Sequence, residues 1–324
     1  MTKEISHNGS IGSANLSSIV MPRIIADSGE KACRQFIEFF AVSIRNPNTR
    51  KAYYRAVVDF LNWCGDRGIR FEHIEPIVVA AYIEQHSAST PTIKQHLAAI
   101  RMLFDWLVIS HVIPVNPALS VRGPKYVLKK GKTPILTKEE TRTLLENIGT
   151  SSVVSLRDRA LIAAMVYSFA RVGAIVGMRV GDYYKSGKRW WLRLHEKGGK
   201  FHEVPAHHKL EEYMDDYISV SGLWEDRKGP LFRTLLGKSR NLTNNCMAPA
   251  DVYRMIRRRA KQSGITTPIG CHTFRAIGIT NYLENGGTLE RAQILAAHSS
   301  PRTTKLYDRT DDKITLDEVE RIVI

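Results

Sequence analysis

Three short segments in the second half of the chain carry arginine and histidine side chains ahead of one tyrosine. In the first, Arg171 follows an apolar run. In the second, His272 and Arg275 are three residues apart, a spacing that places both side chains on one face of a helix. In the third, Tyr307 follows His298, and a short helix with proline at its first position is predicted between them. Together these side chains could bind and attack a phosphate group.

The residue types suit the cleavage of a phosphodiester by a phenol. Attack by the Tyr307 oxygen would build negative charge on the non-bridging oxygens, and the planar forks of Arg171 and Arg275 can each bind them through two charge-assisted hydrogen bonds. His298 would donate to the same phosphate, whereas His272 would either hold the phosphate or help to deprotonate Tyr307. An unperturbed phenol has a pKa of about 10, so the surrounding positive charge must favour the phenolate.

The ordered combination of these segments resembles the signature of the tyrosine recombinases, the phage integrase family. The matching residues, in the family's order and at its spacing, are Arg171, His272, Arg275, His298, Thr303, Thr304 and Tyr307. The resemblance implies a site-specific DNA recombinase or integrase that forms a 3′-phosphotyrosine intermediate and a free 5′-hydroxyl, with no metal and no nucleotide cofactor. It also implies that Lys197, in a turn between two predicted strands, is the general acid for the leaving oxygen. Lys200 in the same turn is the alternative.

One position departs from the family's pattern. The family commonly has a carboxylate three residues after the first arginine, and this chain has Ala174 there. That carboxylate orients its neighbours and does not touch the phosphate, so its absence predicts weaker catalysis or a compensating group elsewhere. The departure leaves open a DNA-binding accessory factor or repressor that has lost catalysis. A type IB topoisomerase-like enzyme, which relaxes DNA without exchanging partners, is a further alternative that the two-domain layout disfavours.

Hydrophobic periodicity and helix-start signals predict a mainly α protein with a small β-sheet. Apolar residues at helical intervals over residues 30–115 resemble the family's all-helical core-binding (SAM-like) domain. A capping box at 137–140 begins the mixed α+β catalytic domain. Strands are predicted at 190–194 and 201–205, around the lysine turn, and the remainder is expected to be mostly helical. The expected divisions are a tail at 1–28, the core-binding domain at 29–117, a basic linker at 118–134 and the catalytic domain at 135–324.

The formal net charge of +15 favours a polyanionic partner. Nucleic acid is the first expectation, because the sequence lacks the apolar run of about 20 residues that a membrane span needs. The four cysteines are scattered and form no Cys-x-x-Cys pair, which predicts reduced thiols in a cytoplasmic protein. We expect a protein of bacterial type that is nucleoid-associated when bound to DNA. These cysteines are Cys33, Cys64, Cys246 and Cys271. No metal site is predicted, since no carboxylate or thiolate at ligand spacing supports His195, His202, His207 and His208.

The expected partner is double-stranded DNA at a specific recombination site, bound by a homotetramer on two duplexes, and accessory proteins are left open. Phosphate contacts are predicted at helix starts, on the polar face of the last core-binding helix and in the linker, with solvated surface charge as the alternative. These residues are Thr49, Arg50, Lys94, Arg101, Lys129, Lys130 and Lys132. Residues 315–324 predict an amphipathic C-terminal helix that packs on a neighbouring protomer or on its own domain. The sequence does not distinguish integration from excision, dimer resolution or transposition.

Overall fold

The computed structural model describes residues 20–128, 131–196, 199–237, 239, 241–308 and 320. The chain forms two compact units that divide between Val127 and Leu128, within the segment predicted as a linker. Along the described ranges, no helix is both long and apolar enough to cross a membrane. Most of the predicted tail and, apart from Glu320, the predicted C-terminal helix lie outside the described residues.

The first unit is helical over its described residues. Its helices are α1 (Arg23–Ala26), α2 (Glu30–Glu38), α3 (Pro47–Gly65), α4 (Pro76–Gln85) and α5 (Thr90–Ile109), and α2 continues into a π-helical turn at Phe39–Ser43. Asn46 caps α3 by accepting hydrogen bonds from the backbone N–H groups of Asn48 and Thr49, at 3.0 and 3.1 Å. Proline in the first turn begins α3, α4 and α5, where its missing N–H leaves no intrahelical bond unmade.

Aromatic side chains dominate the core of this unit. Phe60 on α3 meets Phe104 on α5 edge to face, with ring centroids 6.2 Å apart. Trp106 Nε1 donates a hydrogen bond of 3.0 Å to the Gln35 carbonyl, which joins α5 to α2. Most apolar residues of these helices are buried or pack against the buried cluster, whereas Ile37, Ile77 and Ile109 are exposed. The helical periodicity over residues 30–115 is therefore confirmed.

The second unit combines helices with two small antiparallel sheets. Its helices are α6 (Lys138–Glu146), α7 (Val153–Ser168), α8 (Val172–Val176), α9 (His208–Ser221), α10 (Pro249–Gln262), α11 (Cys271–Glu284), α12 (Leu289–Leu295) and α13 (Pro301–Lys305). The predicted capping box is present at α6. The Thr137 hydroxyl accepts from the Glu140 backbone N–H at 3.1 Å, and the Glu140 carboxylate accepts from the Thr137 backbone N–H at 2.9 Å.

The larger sheet is a three-stranded antiparallel meander of β1 (Tyr183–Ser186), β2 (Arg189–Glu196) and β3 (Lys200–Pro205). The predicted hairpin is β2 and β3, whose register pairs Leu192 with Val204 and Glu196 with Lys200. Side chains alternate along β2, so Leu192, Leu194 and Glu196 are buried on one face. A charged residue thus ends a buried strand face.

The smaller sheet, β4 (Arg233–Leu235) with β5 (Leu242–Cys246), was not predicted. The sequence predicted that the chain beyond the hairpin would be mostly helical, with no strand in this region. Both strands are short, their pairing is irregular between Arg233 and Leu235 of β4, and β5 carries two asparagines, which are poor strand formers. Nothing in the local pattern distinguishes such strands from loop.

The helix α7 lies at the centre of the second unit and is buried on almost every side after its first turn. It packs against α9 and α11. Gly278 allows the close approach of α11, because a Cβ atom there would lie 2.2 Å from the Val166 carbonyl oxygen. At its C-terminal end, Phe169 adopts a left-handed conformation with φ of 55°, which turns the chain towards Arg171. This packing brings the segments with the predicted site residues together.

Candidate active site

Arg275 is the structural centre of the site. Although charged, it is only 1% exposed. Its two terminal nitrogens donate hydrogen bonds to the carbonyl oxygens of Phe169 and Ala296, at the C-terminal ends of α7 and α12. Phe169 and Ala297 both have left-handed backbone conformations, with φ of 55° and 47°. These helix ends orient their carbonyl groups towards one guanidinium and fix its position.

Arg171 is held beside Arg275 by a buried carboxylate. Glu196, the last residue of β2, accepts a hydrogen bond of 2.6 Å from Arg171 Nη1 and another of 3.1 Å from the Arg171 backbone N–H. Its Oε1 atom lies 3.8 Å from Arg275 Nη1. The Glu196 side chain is 0% exposed and that of Arg171 is 32% exposed. The carboxylate therefore lies beneath the two arginines, and Arg171 reaches solvent.

Burial and the charge of Arg171 lower the pKa of Arg275 to about 10, whereas Glu196 and Tyr307 act in the opposite direction. The side chain consequently stays protonated at neutral pH. Tyr307 packs against the buried cluster that contains Phe169 and Ala296, the two residues whose carbonyls accept from Arg275. The predicted nucleophile and a predicted phosphate-binding arginine are thus neighbours in space.

His272 opens onto a cavity of about 380 Å³ beside the two arginines. The cavity is lined by Ala170, Arg171, Val172, Gly173, Ala174, His195, Glu196, Cys271, His272 and Arg275. Partial burial, then the charges of Arg275 and Arg171, lower the pKa of His272. A lowered pKa keeps the imidazole neutral at pH 7, as a proton acceptor must be.

His298 and Tyr307 form a stacked pair, with ring centroids 5.8 Å apart and ring planes 9° from parallel. The imidazole is buried, and its Nδ1 atom lies 2.9 Å from the hydroxyl of the buried Thr304. Thr280 on α11 donates a hydrogen bond of 2.9 Å to the Tyr307 carbonyl. Pro301 begins α13, as predicted, and the side chain of Ser300 before it makes no capping hydrogen bond. These contacts fix both rings relative to α11, which carries His272 and Arg275.

The two candidate lysines cannot be placed. Lys197 and the side chain of Lys200 lie outside the described residues, so the assignment of a general acid stays a prediction. The described strands β2 and β3 flank that turn, and β2 ends at Glu196 in the site.

The four histidines considered as metal ligands have other neighbours. His207 stacks on Tyr167 with ring centroids 4.3 Å apart, and its Nδ1 accepts from the Lys209 backbone N–H at 3.2 Å. His195 lies against Phe201. In the ranges that the structure describes, no three histidine, cysteine, aspartate or glutamate side chains cluster as metal ligands would.

The DNA-contact residues predicted in the first unit include two arginines with internal partners. Arg50 donates to the Ile44 carbonyl at 2.8 and 3.0 Å. Arg101 donates to the Ala118 carbonyl at 3.1 Å and also to the Val121 carbonyl. Each guanidinium therefore holds a neighbouring loop. Lys94 is exposed and Thr49 lies in the first turn of α3, while Lys129 and Lys130 lie outside the described residues.

Two features of the second unit were missed by the sequence analysis. One is Glu196, which has no recognisable spacing to Arg171. The other is the basic outer face of α10, which the alternation of buried and charged residues could have revealed. Its exposed side chains are Tyr253, Arg254, Arg257, Arg258 and Lys261, opposite the buried Val252, Met255, Ile256 and Ala260. Because α10 packs against α8 and α11, this positive face belongs to the same part of the unit as the site.

Comparison with known proteins agrees with this geometry. The profile of the phage integrase family matches residues 134–313, and that of the phage integrase N-terminal SAM-like domain matches residues 34–111. Tyrosine recombinase XerC of Thermodesulfovibrio yellowstonii is 26% identical over 275 residues, covering 82% of this chain and 87% of that protein. Tyrosine recombinase XerD of Chlorobaculum tepidum is 28% identical over 275 residues, covering 82% and 86%.

Solved structures give the same fold. A lambda integrase (75–356) dimer bound to a COC′ core site aligns with a TM-score of 0.66 at 18% identity, covering 88% of this chain and 98% of that chain. XerH recombinase bound to its difH substrate aligns with a TM-score of 0.64 at 18% identity, covering 84% and 78%. The chain belongs to the phage integrase family and is a site-specific tyrosine recombinase, an enzyme that breaks and rejoins DNA.

Proposed function

We propose that Tyr307 is the nucleophile and that Arg171, Arg275, His272 and His298 form the phosphate site around it. The buried Arg275 carries this assignment: the carbonyls of Phe169 and Ala296 fix it, and Tyr307 packs against the apolar cluster to which these two residues belong. A cation held rigidly in a desolvated place stabilises charge on a phosphate more strongly than a solvated one, because it needs no reorganisation as the charge develops.

In the proposed reaction the Tyr307 oxygen attacks the scissile phosphorus. The bond from phosphorus to the 5′ oxygen breaks as the bond to the tyrosine forms, leaving a 3′-phosphotyrosine and a 5′-hydroxyl. His272, neutral at pH 7 because its pKa is lowered, accepts the phenolic proton. Lys197 supplies the proton of the leaving hydroxyl. Attack by a 5′-hydroxyl on the phosphotyrosine reverses these steps and rejoins the strand without a nucleotide cofactor.

The proposed substrate is duplex DNA at a specific site. The exposed basic face of α10 offers a surface for its phosphates, beside the helices that carry the arginines. The linker lysines Lys129, Lys130 and Lys132, together with Thr49, Arg50, Lys94 and Arg101, remain proposed contacts. Binding should weaken with added salt, with a slope of about −0.9 for each phosphate neutralised.

We also propose that four protomers act on two duplexes through the C-terminal segment. A groove of about 1250 Å³ in the second unit is lined partly by apolar residues of α6, α7, α11 and α12, including Leu145, Val166, Ile277 and Leu295. The sequence 315–324 offers Leu316, Val319, Ile322 and Val323 as a matching apolar face. A lambda integrase tetramer bound to a Holliday junction, with a TM-score of 0.64 at 19% identity, has the same fold and supports the proposal.

The decisive experiment uses a nicked suicide duplex carrying a candidate site from DNA beside the gene. The wild type and Tyr307→Phe are incubated with it in EDTA and run on a denaturing gel. A covalent adduct with the wild type and none with Tyr307→Phe is the expected result. Tight binding without an adduct from either protein would instead favour an accessory DNA-binding protein.

A second assay separates recombination from relaxation. Two duplexes of different length are incubated with the wild type and with a chain that ends at residue 311. Recombinant products are expected from the wild type alone, whereas the shortened chain should still form the covalent adduct. Relaxation of a supercoiled plasmid without recombinant products would contradict the proposal.

A further inference from the structure

We propose that Glu196 is a positioning residue that performs, from the end of β2, the task for which Ala174 lacks a carboxylate. Glu196 sets the distance and orientation of Arg171 and Arg275 without touching the phosphate itself. The inference rests on the proposed function of these two arginines, and it names a residue for which neither the family pattern nor the site's sequence motifs account.

Both oxygens of the Glu196 carboxylate are used. Oε2 accepts from the Arg171 side chain at 2.6 Å, and Oε1 accepts from the Arg171 backbone N–H at 3.1 Å while lying 3.8 Å from Arg275 Nη1. The buried Glu196 carboxylate therefore restrains both the side chain and the backbone of Arg171, and it also reaches Arg275. Within the described ranges, no other carboxylate forms an ion pair with either arginine.

The burial of Glu196 leaves the outer part of the Arg171 guanidinium able to face a phosphate. The Glu196 side chain is 0% exposed and that of Arg275 is 1% exposed, whereas that of Arg171 is 32% exposed. Glu196 thus contacts Arg171 from the protein interior, and the outer part of the guanidinium is left for a ligand. A carboxylate on the solvent side would instead compete with the phosphate for the same N–H groups.

The charges explain why a carboxylate is needed. Two guanidinium groups in a desolvated place repel each other, and burial together with Arg171 already lowers the pKa of Arg275. Arg275 is fixed by two carbonyls, but Arg171 has a route to solvent. Without Glu196, Arg171 would relieve the repulsion by moving outward. With it, two positive charges and one negative charge leave a net single positive charge to meet the phosphate.

Ala174 and Glu196 lie at the same cavity. Both line the cavity of about 380 Å³ that also contains Arg171 and Arg275, Ala174 from α8 and Glu196 from β2. The side chain of Ala174 on α8 is only a methyl group, and the carboxylate at this cavity comes from Glu196 on β2. The same pair of arginines can therefore be supported from either element, which predicts that the carboxylate can be moved back.

The test combines removal of the carboxylate with its relocation. Glu196→Gln, the double variant Glu196→Gln with Ala174→Glu, and the control Glu203→Gln are assayed for the rate of adduct formation on the suicide duplex in a single turnover. Glu203 is a matched control because it lies on the same hairpin and pairs with Arg193 at the surface. Duplex affinity is measured in parallel with each substitution added to Tyr307→Phe.

Glu196→Gln is expected to slow adduct formation on the order of 100-fold, because misplacing a phosphate-binding group by about an ångström has that effect. Duplex affinity should change little, since the other contacts remain. The double variant should recover about tenfold of the loss, a coupling of the size seen between residues of one charged network. Thermal denaturation of each variant shows whether it is folded, and Glu196→Asp, which keeps the charge with a shorter reach, should fold and cleave slowly.

Two results would overturn the inference. In one, Glu196→Gln forms adduct as fast as Glu203→Gln. In the other, the double variant is folded but no faster than Glu196→Gln, so that Glu196 does not stand in for a carboxylate at position 174. If the wild type and the Glu203→Gln control both form no adduct, the proposed function itself is contradicted. Failure of the proposed function can therefore be distinguished from failure of the inference about Glu196.

Discussion

Replacing Arg275 by lysine should impair both catalysis and stability, although the charge is kept. The guanidinium donates from two separate nitrogens to the carbonyls of Phe169 and Ala296, and a lysine has a single nitrogen at its end. At least one buried carbonyl would lose its partner, at a cost of roughly 1–3 kcal/mol in the free energy of unfolding. For a unit of this size the midpoint of thermal unfolding should fall by about 2–12 °C.

The catalytic loss should be larger than the structural loss implies. An ammonium cannot bind two phosphate oxygens as a planar fork does, and removing one donor to a developing oxyanion slows an enzyme by about 100- to 1000-fold. The rate of adduct formation is measured in a single turnover, and stability is measured on the same preparations without DNA. Arg193→Lys is the control, because that arginine pairs with Glu203 on the exposed part of β2.

The reasoning would be refuted by an Arg275→Lys variant that forms adduct within about threefold of the wild-type rate, where a loss of about 100-fold or more is expected. An unchanged unfolding midpoint would separately contradict the account of the two carbonyls. A large catalytic loss in Arg193→Lys would mean that the assay responds to arginine content in general.

Three further predictions follow from the geometry of the second unit. Because the pKa of His272 is lowered from its usual value of about 6.5, the imidazole is neutral at pH 7 and is protonated only at lower pH. The rate of adduct formation should therefore fall on the acid side of a pH–rate profile, and His272→Gln should abolish that fall. Gly278→Ala would place a methyl carbon 2.2 Å from a backbone oxygen of α7 and should destabilise the unit by about 1–3 kcal/mol in urea titration, whereas Gly149→Ala, with open space around it, should not. Thr304→Val removes the hydroxyl that lies 2.9 Å from His298 Nδ1, and it should lower the free energy of unfolding by about 1 kcal/mol. Quench experiments should also show slower adduct formation. An unchanged rate would show that the imidazole needs no support from this hydroxyl.

Local sequence signals were sufficient for many elements. The capping box at Thr137, the proline at the start of α5 and the alternation in β2 each depend on residues a few positions apart. The order of the arginine, histidine and tyrosine motifs identified the family before any geometry was known. Such features can be predicted from sequence because their physical causes are local. A hydrogen bond at a helix end or a side-chain periodicity involves residues within one or two turns of the chain.

Long-range contacts decided the rest. The partner of Arg171 is 25 residues away, and those of Arg275 are 106 and 21 residues away. The carbonyls of Phe169 and Ala296 take part only because of the left-handed turns at Phe169 and Ala297, conformations that neither residue type predicts.

The sequence by itself determined the family of the chain and the order in which its arginine, histidine and tyrosine motifs occur. Only the tertiary structure decided that Glu196, at the end of β2, pairs with Arg171 at the cavity that Ala174 also lines. The physical reason is that a buried ion pair is specified by where a strand end and a helix start meet, not by a spacing along the chain. The position of the strand end relative to the helix start depends on how α7, α11 and the β2–β3 hairpin pack around one core. Residues that are distant in sequence determine that packing together.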